Sequence, residues 1–82
     1  MDAINLWAAL RSLHPERTER LVEAVGPVFG TAESFIEHLD TLRQGAAIAN
    51  GRCGYIGNPY EQIAEDFEVL VCVAKRDFGP KQ

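Results

Sequence analysis

The sequence predicts an all-α protein, a compact bundle of about four helices in a single domain spanning residues 1–82. Three observations predict it. Apolar residues recur at steps of three and four along most of the chain. Prolines and glycines stand between these periodic segments, where helices begin and end. The most apolar stretch, FEVLVCVAKRDFG at 67–79, has helix-compatible sequence on its N-terminal side and at its own end.

The first helix starts at Asp2, whose carboxylate can accept a bond from an unpaired N–H of the first turn. Leu6, Leu10 and Leu13 follow on one face, with Ala3 and Trp7 beside them. Pro15 pushes the residue before it out of the helical region, so the first helix stops there. The same proline suits the opening of a second helix. Thr18, Leu21, Val22 and Val25 repeat at helical spacing in that second helix, and Gly26-Pro27 ends it. Val28 and Phe29 then form an apolar connection, expected to plug the core.

Thr31 caps a third helix. Phe35, Leu39, Leu42, Ala46 and Ala49 carry its apolar face, which runs to Asn50-Gly51 with Gly45 inside at a cost of about 1 kcal/mol relative to alanine. Asn58, Pro59 and Glu61 resemble a capping box opening a fourth helix. That helix ends at Phe78, ahead of the stop signal Gly79-Pro80. Its apolar stripe is Ile63, Phe67, Leu70, Val71, Ala74 and Phe78.

The alternative is an α+β chain. It ends the third helix at Gly45, uses Asn50-Gly51 as a tight hairpin turn between AAIA and RCGYI, and reads 68–73 as a strand. Alanines and Gly54 make poor strands, so the helical reading is preferred.

A fourth helix from 59 to 78 leaves apolar residues over. Val69, Cys72 and Val73 fall away from its stripe, among Glu61, Glu65, Glu68 and Arg76. A helix apolar on more than one side is buried on more than one side. It is then either the central helix of the bundle or the site of a contact with another protein. Val69, Cys72, Val73, Glu65 and Arg76 are the predicted protein-interface residues.

Composition narrows the function. The chain has 82 residues and a net charge of -4. Its sequence pI is about 5.0 and its mean hydropathy -0.12. An acidic balance disfavours general affinity for nucleic acid or anionic lipid. No apolar run reaches the roughly 18 residues of a membrane span. MDAINLWAALRSLH has an early acid and no basic segment, unlike a secretory signal peptide, so the expected location is cytoplasmic. There the two cysteines, Cys53 and Cys72, are expected as free thiols. So small a domain also gains from association, which makes a homodimer a candidate state.

No motif is specific for a reaction. Asp77-Phe78-Gly79 matches a kinase tripeptide, but the chain is too short for the other kinase elements. The glycines of Gly51–Gly57 fit no phosphate-binding pattern. His14, His38, Cys53 and Cys72 lack paired metal-ligand spacing; His14 is expected in a helix–helix corner and His38 on a polar face. Cys53, in a loop after Arg52, is the one candidate for a thiol-dependent enzyme. Glu65, Asp66 and Glu68 read as a solvated acidic face.

LVEAVGPVFGTAESFIEHLDTLR has the outline of a helix-turn-helix. However, Glu33, Glu37 and Asp40 would face phosphates, and Arg11, Arg17 and Arg20 are interleaved with Glu16, Glu19 and Glu23, as on salt-bridged helix faces. The expected function is therefore a small protein-interaction module: an adaptor, regulator or inhibitor of a larger protein, self-associating, with no catalytic, cofactor or metal site. A helix-turn-helix regulator and a small cysteine enzyme are the alternatives.

Overall fold

A computed structural model of the chain describes residues 1–79. It contains four helices: α1 (Ala3–Leu13), α2 (Pro15–Val25), α3 (Ala32–Cys53) and α4 (Pro59–Phe78). There is no strand among the described residues. The only ladder-like contact there is an isolated antiparallel bridge between Asp2 and Thr31. The α+β alternative is thereby set aside, and 68–73 is helical. Of the predicted stop signal Gly79-Pro80, Pro80 lies outside the described residues.

The expected caps form. Asp2 Oδ1 accepts the Asn5 N–H at 2.8 Å, and Thr31 Oγ1 accepts that of Ser34 at 3.1 Å. These two cap residues also bring the starts of α1 and α3 together. The Ala3 N–H donates to the Gly30 carbonyl at 2.9 Å, and the Ala32 N–H to that of Met1 at 3.2 Å. Groups left unpaired at two helix starts thus satisfy each other.

A single residue, His14, separates α1 from α2, where the sequence places a corner. Its N–H donates to the Leu10 carbonyl. Its own carbonyl accepts the buried Thr18 hydroxyl at 3.0 Å. At the far end of α2, His38 Nε2 donates to the Val25 carbonyl at 3.2 Å, which ties α2 to α3.

Three details differ from expectation. Helix α3 does not stop at Asn50-Gly51 but continues to Cys53, where Gly54 caps it in the left-handed region at φ 67°. Asn50 and Gly51 are helical because the turn that reverses the chain lies four residues later. Second, Phe29 does not plug the core; it is exposed, and only Val28 of that pair packs against the buried cluster. Third, Leu13, at the last turn of α1, and Val22, in the apolar repeat of α2, are exposed, while Leu6, Leu10 and Leu21 are fully buried.

The core is not spread evenly. Helix α3 has 22 residues and α4 has 20, so each is about 30 Å long at 1.5 Å per residue. Helices α1 and α2 have 11 residues each and reach only about half as far. Their anchors on the hairpin lie at Thr31, His38 and Asp66, so they cover one half of it. Burial follows. On α3 the buried positions are Ala32, Phe35, Ile36 and Leu39, then only Ala46; on α4 they begin at Asp66. Trp7 closes the covered half by packing edge-on to Phe35, with ring centroids 5.9 Å apart.

The uncovered half of the α3–α4 hairpin is held mainly by its own turn. Asn58 is buried and fully engaged there. Its Nδ2 donates to Asn50 Oδ1 and to the Tyr55 carbonyl, both at 2.7 Å, and its Oδ1 accepts the Tyr60 N–H at 2.9 Å. Glu61 completes a variant of the predicted capping box. Its Oε2 accepts the N–H of Gly57, one residue ahead of the cap, at 2.7 Å.

Candidate functional site

The strongest electrostatic feature is one that local sequence reasoning misassigned. Asp66 does not belong to a solvated acidic face; its side chain has no exposed surface. Arg20 donates to it twice, Nε to Oδ2 at 2.8 Å and Nη2 to Oδ1 at 2.9 Å. Arg17 Nη1 reaches Oδ1 at 2.8 Å, and Gln62 Nε2 reaches the same oxygen at 3.0 Å. Burial alone would push the carboxyl upward, and it is the largest single influence. The hydrogen bonds from Arg20, Gln62 and Arg17 together outweigh it and hold the group below the usual carboxylate range.

The arginines therefore answer to α4 and not to the glutamates interleaved with them on α2. Arg17 and Arg20 are one turn apart and face the same way. The signal for Asp66 was present in its spacing. It lies three residues after Ile63 and four before Leu70, along the apolar stripe. Its neutralising partners, 49 and 46 residues away in sequence, carry no local mark of the pairing.

The predicted interface residues line one surface. Glu65, Val69, Cys72, Val73 and Arg76, joined by Glu68, border an open furrow of about 400 Å³ along α4. They do not form the broad apolar face expected. Val73 is only 8% exposed and Val69 is half-buried, which leaves Cys72 as the exposed apolar residue between Glu65 and Arg76. Val73 is seven residues from Asp66 and so on nearly the same side of the helix. Helix α2 packs on α4 and binds Asp66, and the side that seemed surplus is largely covered from within. Arg76 also pairs with its neighbour Asp77, Nε to Oδ1 at 2.9 Å.

The other candidates separate in space. Of the basic cluster proposed for a helix-turn-helix, Arg17 and Arg20 are consumed by Asp66, while Glu33 and Glu37 stand exposed in the first turns of α3. Cys53 is not in a loop; it is the last residue of α3 and half-buried, and Cys72 is a separate free thiol on α4. Among the described residues no group of three His, Cys, Asp or Glu side chains is arranged to hold a metal ion. The Asp77-Phe78-Gly79 tripeptide simply ends α4.

A second surface was not singled out by the periodicity. Tyr55, Ile56 and Tyr60 are exposed at the uncovered end of the α3–α4 hairpin, and Ile48 is exposed on the outer side of α3, about 200° round the helix from the buried Ala46. Ile56, in the connecting turn, is 94% exposed. The sequence signal lay in composition. Between Gln44 and Ala64 the only charged residues are Arg52 and Glu61. No family model matches the chain, and neither the curated proteins nor the solved structures contain a significant match to it.

Proposed function

We propose that the protein is a protein-interaction module, acting through contact with other polypeptides as an adaptor, regulator or inhibitor. The observation that carries this reading is the unshielded end of the α3–α4 hairpin. Tyr55, Ile56 and Tyr60 stand in water there; Met1, Ile4, Leu13, Val22 and Phe29 are exposed elsewhere on the chain, but the stretch from Gln44 to Ala64 carries only Arg52 and Glu61 as charges. Exposed apolar surface that is poor in charge is the ordinary mark of a docking surface.

The charge distribution favours protein over nucleic acid as the partner. The net charge is -4, and two of the arginines that could have met phosphates are satisfied internally. The furrow of Glu65, Val69, Cys72 and Arg76 on α4 is a smaller second contact, with an acid at one end and a base at the other.

The test is a comparison of proteins captured from native lysate by the wild type, an Ile48→Glu/Ile56→Glu variant and a Cys72→Glu variant. All three positions are exposed, so the fold is expected to tolerate the substitutions. A partner held by the wild type and lost with either variant supports the reading. Identical captures by all three oppose it. A shift of duplex DNA that disappears as salt is raised would favour the helix-turn-helix reading instead.

A further inference from the structure

We propose that the turn end of the α3–α4 hairpin, residues 44–64, is a separate conformational unit that opens while the rest of the bundle stays folded, with Asn58 as its latch. The opening is a property of the isolated chain and needs no partner. It bears on the interaction reading because Tyr55, Ile56 and Tyr60 lie in this unit. Latched, they stand on a fixed frame; open, they can rearrange around what they meet.

Burial divides the hairpin. From residue 44 to residue 64, Ala46 and Asn58 alone are buried. From Asp66 onward α4 buries Asp66, Phe67, Leu70, Val71, Val73 and Ala74, and before residue 44 α3 buries Ala32, Phe35, Ile36 and Leu39. Apolar burial offsets the entropy of ordering the chain, so the two parts of the hairpin are held unequally. A segment with few buried apolar contacts and exposed backbone hydrogen bonds opens at a free energy below that of global unfolding. Gly45 and Gly51 weaken the α3 arm further, because glycine in a helix interior has more freedom to lose than alanine.

Bonding divides the hairpin at the same place. On the body side Asp66 is fixed by Arg17 and Arg20 of α2, and Lys75 of α4 reaches Asp40 of α3 at 3.3 Å. At the turn end, among the described residues, the bond from Asn58 Nδ2 to Asn50 Oδ1 is the one side-chain hydrogen bond that joins the α3 arm to the start of α4. The same side chain holds the Tyr55 carbonyl and the Tyr60 N–H. Losing it releases the end of α3, the turn and the start of α4 together. That shared hold makes the unit open as a whole, and not as two helix ends that fray independently.

Native-state hydrogen exchange, read amide by amide in low urea, tests the unit. The amides of 47–54 and 61–64 are expected to share one opening free energy and a small urea dependence, while those of Leu39 and Leu70 show larger values of both. Asn58→Ala is expected to lower protection in both arms by a common factor of about 30. Gly51→Ala, whose Cβ meets nothing within 4 Å, is expected to raise it about threefold in both arms, although the substitution lies on α3 alone. Leu10→Ala in the buried body, or the milder Val25→Ala should the first unfold, is expected to speed exchange at Leu39 and Leu70 and leave 47–54 and 61–64 unchanged. Turn-end amides that exchange with the free energy and urea dependence of Leu39 and Leu70 overturn the unit. So does protection that declines steadily toward residue 56, with each substitution felt only on its own helix, because that is ordinary fraying.

Discussion

Arg20 and Asp66 meet side by side, with two guanidinium nitrogens on two carboxylate oxygens at 2.8 and 2.9 Å, although 46 residues separate them in sequence. The acid is covered, while the arginines above it remain partly in water, Arg17 27% and Arg20 43% exposed. The pair therefore sits just beneath the surface. It fixes where α2 lies on α4, because a covered carboxylate is tolerated only where its donors reach it.

Removing the acid costs less than removing a core side chain. Asp66→Ala is expected to lower unfolding free energy by about 1–3 kcal/mol, because the arginines it frees can turn to solvent. Leu70→Ala, at a fully buried position one turn away, is expected to cost about 2–5 kcal/mol. Urea titrations of the two variants check the order. A larger loss for Asp66→Ala would mean that the arginines are held in place after their partner is gone.

Acid should weaken the protein through the same group. The Asp66 carboxyl lies below its ordinary value when folded, so the folded state binds fewer protons than the unfolded chain. The stability it supplies is complete above the unfolded value of about 3.9. It is lost as pH falls through that value toward the folded one. Asp40 is also held low, by hydrogen bonds from Arg43 and Lys75, and Asp77 by Arg76, but they act alike in wild type and in Asp66→Asn. The difference in urea midpoint between these two proteins should therefore be widest near neutral pH and shrink toward about pH 3. A constant difference would show that the carboxylate charge is not what matters.

Gly45, inside α3, and Gly54, which caps it, should respond oppositely to alanine. Gly45 is inside the helix, and a Cβ there meets nothing within 4 Å. Gly45→Ala is expected to stabilise by about 0.5–1 kcal/mol. Gly54 ends the helix at φ 67°, where alanine is strained, and Gly54→Ala should cost about 1 kcal/mol. Thermal melts of the two variants beside the wild type read both.

Asn58 should be the most sensitive polar residue of the hairpin turn. It caps α4 and donates to both Asn50 and the Tyr55 carbonyl from a buried position. Asn58→Ala is expected to cost about 2 kcal/mol, at the upper end for a lost cap. Asn58→Asp keeps the acceptor for the Tyr60 N–H but loses both donations, so it should rescue only part of the loss. Hydrogen exchange at the amides of residues 50–60 would localise the effect.

Much of the fold was legible because its signals are local. Asp2, Thr31 and Asn58 cap the turns that follow them, Pro15 and Gly26 punctuate α2, and apolar spacing marks the buried faces. The errors came where neighbouring segments competed for one function. Asn50-Gly51 carries a hairpin signal, but the true reversal at Gly54–Asn58 has a capped helix waiting beyond it. Phe29 and Val28 carry the same local signal, and only the tertiary packing chose Val28 for the core.

The candidate surfaces were legible only in part. Val69, Cys72, Val73, Glu65 and Arg76 do share one side of α4, as a period of 3.6 requires. Their exposure was not written in that period, because it depends on where α2 lands.

The sequence by itself determined four helices, their caps and their apolar stripes, since these depend on residues a turn or two apart. The tertiary structure decided which stripe is covered. It buried Asp66 against α2 and left Tyr55, Ile56 and Tyr60 in water at the uncovered end. The physical reason is length. Two helices of 11 residues cannot shield a hairpin whose arms are 22 and 20 residues long, and where they anchor is set by contacts between residues remote in the chain.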